Sequence, residues 1–427
     1  IVLDHIDIRK YNEANQVLID LDIEKATSKF KIKNDVIDTE LDSKFQLSIA
    51  QRGKPTFIQH KHLQFATEIR FDQTSNFLTI SPTEIQLENS FFGIEGKIDI
   101  ANEMDLDLKL HGDKPNFNLF IALAPEELIK VFEQYENRGK LYFKASVKGK
   151  SLNGMMPAIR ADFGCKDAFF SNELTHKKVD GIRFKGYFTN GEKRSLETME
   201  FGISDFSARP ETGKFTGLIK VSNFNAPNVD MKLISDFNLD FLAKFINSQE
   251  LTGLKGNVKL TMKFKDIIDL DHPEKSIEKL NEAYESKLEV KNLSFNSRKL
   301  PYKIHDIDIM AHMDGHLAKI DFINMHVGRS DVSISGLISD LPAIIHHTDI
   351  PVTTQLNVQA KRMDFGELSK SSADAKPGVD EELTNLRAQF KFITSAKAIT
   401  ESPTLPLGEF YVDDLYAKLK HYPHVLH

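Results

Sequence analysis

The sequence predicts a mainly β protein of repeated, mostly antiparallel strands, with a few short helices between the repeats. Three observations lead there. Apolar and polar residues alternate over most of the 427 residues, as in strands with one buried and one wet face. A strand pair built around a glycine recurs at Gly96, Gly217 and Gly336. Residues with helical spacing are confined to short stretches, most of them directly after those pairs.

The strand pair is clearest in SFFGIEGKIDIANEMDLDLKL, residues 90–110. Phe92, Ile94, Gly96, Ile98 and Ile100 fall on one face, and Glu95, Lys97 and Asp99 on the other. After a polar turn, Leu106, Leu108 and Leu110 alternate with Asp105, Asp107 and Lys109. Around Gly217 the chain reads KFTGLIKV then NVDMKLI, and around Gly336 it reads DVSISGLISD then VTTQLNV. With the glycines aligned, the position two before is Ile94, Phe215 or Ile334, and the position two after is Ile98, Ile219 or Ile338. The glycines stand 121 and 119 residues apart. That spacing exceeds the usual period of ~20–50 residues for solenoid repeats, so each unit must hold several strands.

Taken in order, residues 1–89 read as strands throughout, among them LIDLDIE, KFKIK, SKFQLSIA, HLQFATEIRF and FLTISPTEIQLE. Arg52–Pro55 and Gln73–Asn76 supply turn chemistry. The first unit, 90–210, continues from its strand pair into a helix. Pro125 suits the first turn, Leu128, Phe132 and Tyr135 form a stripe, and Gly139 stands as a C-terminal cap. GKLYFKASVKGK then resumes the alternation with Leu141, Phe143, Ala145 and Val147. The second unit, 211–329, repeats the order: a helix over Asn238–Ser248, then NVKLTMKFK. It also holds an inserted amphipathic helix at 272–287, with Pro273 at its start and Ile277, Leu280, Tyr284 and Leu288 on one face. The third, 330–427, is partial. Asp364 N-caps a short helix through Leu368, a polar linker fills 369–382, and RAQFKFI follows as a strand. Asn190–Gly191 and Asp314–Gly315 read as tight turns between alternating runs.

Composition narrows function mainly by exclusion. A net charge of −7 gives no electrostatic footprint for nucleic acid. A single cysteine, Cys165, excludes an internal disulfide framework and leaves both cytosol and periplasm open. The longest apolar run, Leu119–Ala124, is far short of the ~20 residues that span a bilayer. The start at Ile1–Val2–Leu3 reads as a segment of a longer polypeptide, so that an export signal or anchor would lie outside it.

Catalytic motifs are missing: there is no nucleophile elbow, Walker loop or dinucleotide fingerprint. Gly93-x-x-Gly96-Lys97 resembles a phosphate loop only in spelling, because it lies within one alternating strand. Histidines are the metal candidates. His312 and His316 straddle the Asp314–Gly315 turn, and His60/His62 and His346/His347 are close pairs; all read as surface histidines. Cys165, on an alternating strand, reads as a small buried hydrophobe. No enzyme activity, cofactor or metal is expected. What accumulates instead is apolar strand surface, over some thirty strand-like runs with few helices to cover it. Two sheets could close on each other as a sandwich, or one curved sheet could form an open trough that needs a guest.

At this point the chain resembles a known family. KLEVKNLSFN, then Leu300–Pro301, then IHDIDIMAHMDGHLAKIDFINMHVGRSDVSISGLISDL is similar to the AsmA-like proteins of Gram-negative envelopes, especially the Bacteroidetes type. There, strands of the form x-L-x-V-x-x-L-x-F lead to a strand with G-x-S-D-x-x-x-x-G, which Gly328–Gly336 matches. FFGIEGKIDI and KFTGLIKVSNF are looser versions, so the resemblance covers nearly the whole chain. It implies a long, curved, repetitive β-sheet groove, the "taco" of AsmA, TamB and YhdP relatives, and kinship with bridge-like lipid transfer proteins. It also implies a periplasmic location, an inner-membrane anchor outside this segment, a phospholipid or other acyl-lipid cargo moved between inner and outer membrane, and an outer-membrane protein partner.

The physics fits that role, because each acyl CH₂ kept from water is worth ~0.8 kcal/mol and an apolar trough needs no chemistry to supply that cover. The expected lining in the first unit is Ile94, Ile98, Leu106, Leu108, Leu110, Leu141 and Phe143. In the second it is Phe215, Ile219, Val229, Met231, Leu233, Val258, Leu260 and Met262, and in the third Ile334, Ile338, Leu356 and Val358. The competing expectation is a structural or assembly factor on an outer-membrane complex, with a packed interior and no lipid cargo. A β-solenoid adhesin stands third.

Overall fold

The computed structural model describes residues 1–13, 16–51, 53–55, 58–114, 116–118, 121, 131–246, 251–267, 284–297, 303–345, 349–369, 378–395, 397–398, 408–422 and 424–427. The protein is mainly β and antiparallel. Contacts divide it into two units. One comprises Ile1–Glu173, Val179–Phe206 and Val221–Asn225; the other comprises Leu174–Lys178, Ser207–Lys220 and Ala226–His427.

In the first unit the strands are β1 (Val2–Asn12), β2 (Val17–Lys33), β3 (Val36–Gln51), β4 (Lys54–Pro55), β5 (Lys61–Asp72) and β6 (Phe77–Leu87). There follow β7 (Ser90–Asp99), β8 (Asp105–Lys114), β9 (Tyr135–Lys150), β10 (Ala158–Asn172) and β11 (Lys178–Thr189). The division between units passes through β12 (Glu200–Pro210) and β13 (Gly213–Ser222). The second unit continues with β14 (Asn228–Asn238), β15 (Leu251–Ile267), β16 (Tyr284–Ser297), β17 (Ile304–Asp314) and β18 (Leu317–Val327). It ends with β19 (Ser330–Ile338), β20 (Val352–Asp364), β21 (Glu382–Thr394), β22 (Gly408–Leu419) and β23 (Val425–Leu426). The described residues thus form twenty-three strands rather than some thirty, because many neighbouring short runs belong to single strands of up to 17 residues.

Sequence neighbours pair antiparallel from β1 through β3, then from β5 through β10, with β3 paired to β5 across the small β4 hairpin. The second unit follows the same rule from β14 through β23. Turn chemistry explains why neighbours meet. Asn34 and Asp35 both adopt positive φ between β2 and β3, as a two-residue hairpin turn requires. Asp314 pairs with Leu317 across Gly315, at φ 56°. Asn190–Gly191 does not close a tight turn: residues 190–199 include a 3₁₀ turn at Leu196–Thr198. Buried Asn190 accepts from the Ile159 N–H and donates to the Pro157 carbonyl, both at 2.8 Å, and so ties that connection to the start of β10.

The three glycine-centred pairs are structurally alike. A Cβ on Gly96 would stand 2.2 Å from the Asp107 carbonyl oxygen of the next strand. On Gly217 the same atom would meet the Lys232 oxygen at 2.6 Å, and on Gly336 the Gln355 oxygen at 2.0 Å. Gly96 and Gly336 also share φ values of 153° and 156°, and they pair with Leu108 and Leu356. Each glycine lets the neighbouring backbone approach where a side chain would block it.

After the second and third pairs the chain turns into a short helix. Asn238 caps α1 (Leu239–Phe245), accepting from the Asp240 and Phe241 N–H groups. Between β19 and β20 lies α2 (Leu341–Ile345), which the alternation did not signal. Asp364 caps α3 (Phe365–Leu368) through the Glu367 N–H at 2.9 Å. The G-x-S-D segment is part of the same clamp. Gly328 turns at φ 57°, buried Ser330 accepts from the Asp364 N–H at 2.9 Å, and Asp331 accepts from the Lys361 N–H at 2.6 Å.

Two helix expectations need correction. The helix through Tyr135 to a cap at Gly139 lies mostly outside the described residues; Val131 and Phe132 are helical, but Tyr135 and Gly139 belong to β9. Gly139 is needed there for a different reason. A Cβ would sit 2.2 Å from that of Ala168, at the bulge where β10 shifts register. The inserted helix at 272–287 lies outside the described residues up to 283, and Tyr284–Lys287 open β16. Tyr284 shares a face with Ser286 and Leu288, and its ring meets Phe264 across the ladder with centroids 5.9 Å apart. Of the polar linker 369–382, residues 370–377 lie outside the described residues, and Glu382 already begins β21.

Candidate apolar binding face

Directly opposed residues in an antiparallel ladder share a face, so the strand registers decide which side chains stand together. In the first unit Ile98 opposes Leu106, Gly96 opposes Leu108, and Ile94 opposes Leu110. The row through Gly96 continues to Val147 and Ile159 in one direction and to Ile80 and Ile69 in the other. Phe143 opposes Phe163, and Leu141 opposes Cys165.

In the second unit a row runs from Phe237 to Val258, Val290, Ile309 and Ile323. It continues through Ile334 and Val358 to Ala388 and Leu415, nine strands without a polar residue. Leu233 opposes Met262, and Leu260 opposes Leu288 in a parallel row. Met231 opposes Phe264, Val229 shares its face, and Ile338 opposes Ala318. Phe215 stacks on Phe237 with centroids 5.4 Å apart, and Ile219 follows it at even spacing along β13.

The nineteen expected lining positions therefore lie on the apolar face of their own unit. Leu141, Val229 and Val258 are buried, whereas the other sixteen keep partial exposure. A packed sandwich interior would bury most of them. The opposite face carries cross-strand ion pairs such as Lys148–Asp107 at 3.1 Å and Lys263–Glu285 at 2.7 Å. These are exposed and add little stability. Their effect is to keep one face wet.

Part of the first unit's apolar face is covered. Phe117, buried ahead of β9, packs on Phe170 at 4.8 Å between centroids, and Phe132 reaches the same ring at 5.8 Å. Sequence periodicity did not place Phe117 there, because its position depends on the Asn137 side chain, which accepts from the Phe117 N–H at 2.7 Å.

The groups with potential chemistry are placed as follows. Cys165 is 2% exposed, and burial pushes its thiol up to about 11; such a thiol stays protonated and inert at neutral pH. Gly93 and Gly96 lie within β7, with no helix N-terminus to hold a phosphate. His312 pairs with Asp321 at 3.1 Å and His316 with Asp340 at 2.9 Å, so the two histidines do not share a ligand set. His62 lies 3.4 Å from Glu88, and His346/His347 fall outside the described residues. Among the described residues one group of three ligand-bearing side chains converges: His305, Asp306 and His326. They are 21 residues apart at the extremes, and counting outward from the Asp314–Gly315 turn would have paired the two histidines.

Fold and surface together define an antiparallel β protein with one continuous apolar face and one charged face in each unit. No family model matches the chain, and neither a curated protein nor a solved structure does. No helix among the described residues is long and apolar enough to cross a membrane.

Proposed function

We propose that this chain is a non-enzymatic, AsmA-like β-groove protein of the periplasm that shields lipid acyl chains during phospholipid transport between inner and outer membrane. In this reading an anchor outside the segment holds it to the inner membrane, and an outer-membrane protein receives its cargo. The observation that supports it best is the apolar row crossing nine strands of the second unit, in which Val258, Val290 and Ala388 are buried and the other six side chains stay partly open to solvent. Apolar surface of that continuity is costly to leave in water and marks a binding face. An acyl chain matches it, having no polar group to satisfy along its length.

The covered patch around Phe117 favours the second reading, an assembly factor with a filled interior and no cargo. Native mass spectrometry with lipid extraction separates the two. Leu108→Arg and Met231→Glu sharpen the result. On a lipid-bearing open face the added charge stays hydrated or snorkels, so each variant should melt near the wild type but lose co-purified lipid. In a filled interior it would be buried without a partner and melt far lower. Variants that fold normally and keep wild-type amounts of lipid would remove the case for this groove.

A further inference from the structure

We propose that His305, Asp306 and His326 bind one divalent transition-metal ion on the charged face of the β17–β18 hairpin. His305 and His326 are directly opposed in the ladder. Their rings are nearly parallel, at 9°, with centroids 5.3 Å apart. Asp306 Oδ2 lies 2.7 Å from His305 Nδ1 and 3.8 Å from His326 Nδ1. One ligand atom from each residue lies within 4.8 Å of the other two.

Successive strand residues normally point to opposite faces, which would separate His305 from Asp306. Here the register shifts between His305 and Asp308, and Asp306 adopts φ 52°. This bulge re-aims the Asp306 carboxylate toward the side of the two imidazoles. Ile307, the next residue, is buried, so the bulge is anchored beneath the group. The Asp306 N–H donates to Ser294 Oγ at 3.3 Å, which holds it from the neighbouring strand.

The donor set selects the ion. Two imidazole nitrogens and one carboxylate suit zinc, copper or nickel and do not suit magnesium or calcium, which prefer oxygen. With metal–ligand bonds of about 2.0–2.2 Å, tetrahedral donor atoms stand about 3.4 Å apart, so the ion would replace the hydrogen bond between His305 and Asp306, spreading that pair and drawing His326 in, which side-chain rotation on an open face allows. Three protein ligands leave a further position for water. The site lies on the face opposite the apolar rows, so its test is independent of lipid binding.

The test is calorimetric titration of the metal-stripped full chain with Zn²⁺, Cu²⁺ and Mg²⁺, joined to electron paramagnetic resonance of the Cu²⁺ form. The expected result is one Zn²⁺ or Cu²⁺ per chain, no Mg²⁺, and a copper spectrum with two nitrogen ligands. His305→Ala and His326→Ala should each weaken uptake roughly tenfold or more, since losing even an outer partner of a metal ligand costs about that much. Asp306→Asn, which preserves shape, should weaken it as well, and His312→Ala should leave it unchanged. No uptake by the wild type, or wild-type uptake in both histidine variants, would overturn the site. So would Mg²⁺ binding as well as Zn²⁺.

Discussion

The first and third copies of the glycine-centred pair reach one geometry by different chemistry. Both begin on a buried serine, Ser90 or Ser330, six residues before a glycine that admits a carbonyl from the next strand. Beyond that strand they diverge. The first copy is closed by rings, with Phe117 and Phe132 on Phe170. The third is closed by polar groups: Ser330 and Asp364 hold α3, and Arg329 pairs with Asp364 and Glu367. A backbone approach of this kind tolerates no substitute for glycine, whereas the end of the strand pair can be sealed by any group that satisfies it. The second copy agrees, with exposed Glu211 at the serine position, bound to Lys177 at 2.8 Å.

The comparison breaks most visibly at the glycines. Gly336→Val and Gly96→Val should each cost on the order of 4 kcal/mol or more, because a carbonyl clash adds to a disfavoured φ. Gly217→Ala should cost less, having the longer 2.6 Å approach and no positive φ. Urea unfolding followed by circular dichroism ranks the three, and equal losses would show that the copies are not equivalent in the way the geometry says. Next in size, Phe117→Ala should cost about 3–4 kcal/mol through the cavity it leaves, read as a lower melting temperature.

In the third copy Ser330→Ala strands the Asp364 N–H in a buried place and should cost about 1–3 kcal/mol. Hydrogen exchange should locate the loosening at α3 rather than across the unit. Arg329→Ala removes an exposed partner and should cost no more than about 1 kcal/mol. If it cost as much as Ser330→Ala, the ion pairs rather than the serine would be holding this end.

Cys165 gives a pH test of the first unit. Its folded thiol is raised from 9.0 to about 11, so between those values the unfolded chain has lost a proton that the folded chain keeps. Stability from this group is therefore full below about pH 9 and falls as pH rises toward about 11, by on the order of 2 kcal/mol. Cys165→Ala should flatten that part of the stability profile. In the wild type, a thiol reagent at neutral pH should react only as fast as the unit opens.

Alternation along each strand was legible in the sequence because it is a local property: side chains change face every residue whatever the strand pairs with. That was enough to place the nineteen apolar positions on alternating faces and to align Gly96, Gly217 and Gly336; cap chemistry separately marked Asp364 as a helix N-cap. Helical stripes were read less well. Tyr135 and Tyr284 fit a helical spacing, but each belongs to a strand, because a spacing of three or four also occurs by chance in an apolar strand and only the partner decides. Tertiary structure alone decided the bulge that requires Gly139 beside Ala168, the seat of Phe117 on Phe170, and the bulge that brings Asp306 to His305 and His326. Each depends on the register between two strands, and register is set by turns and bulges that shift a partner by one residue without altering the pattern along either strand.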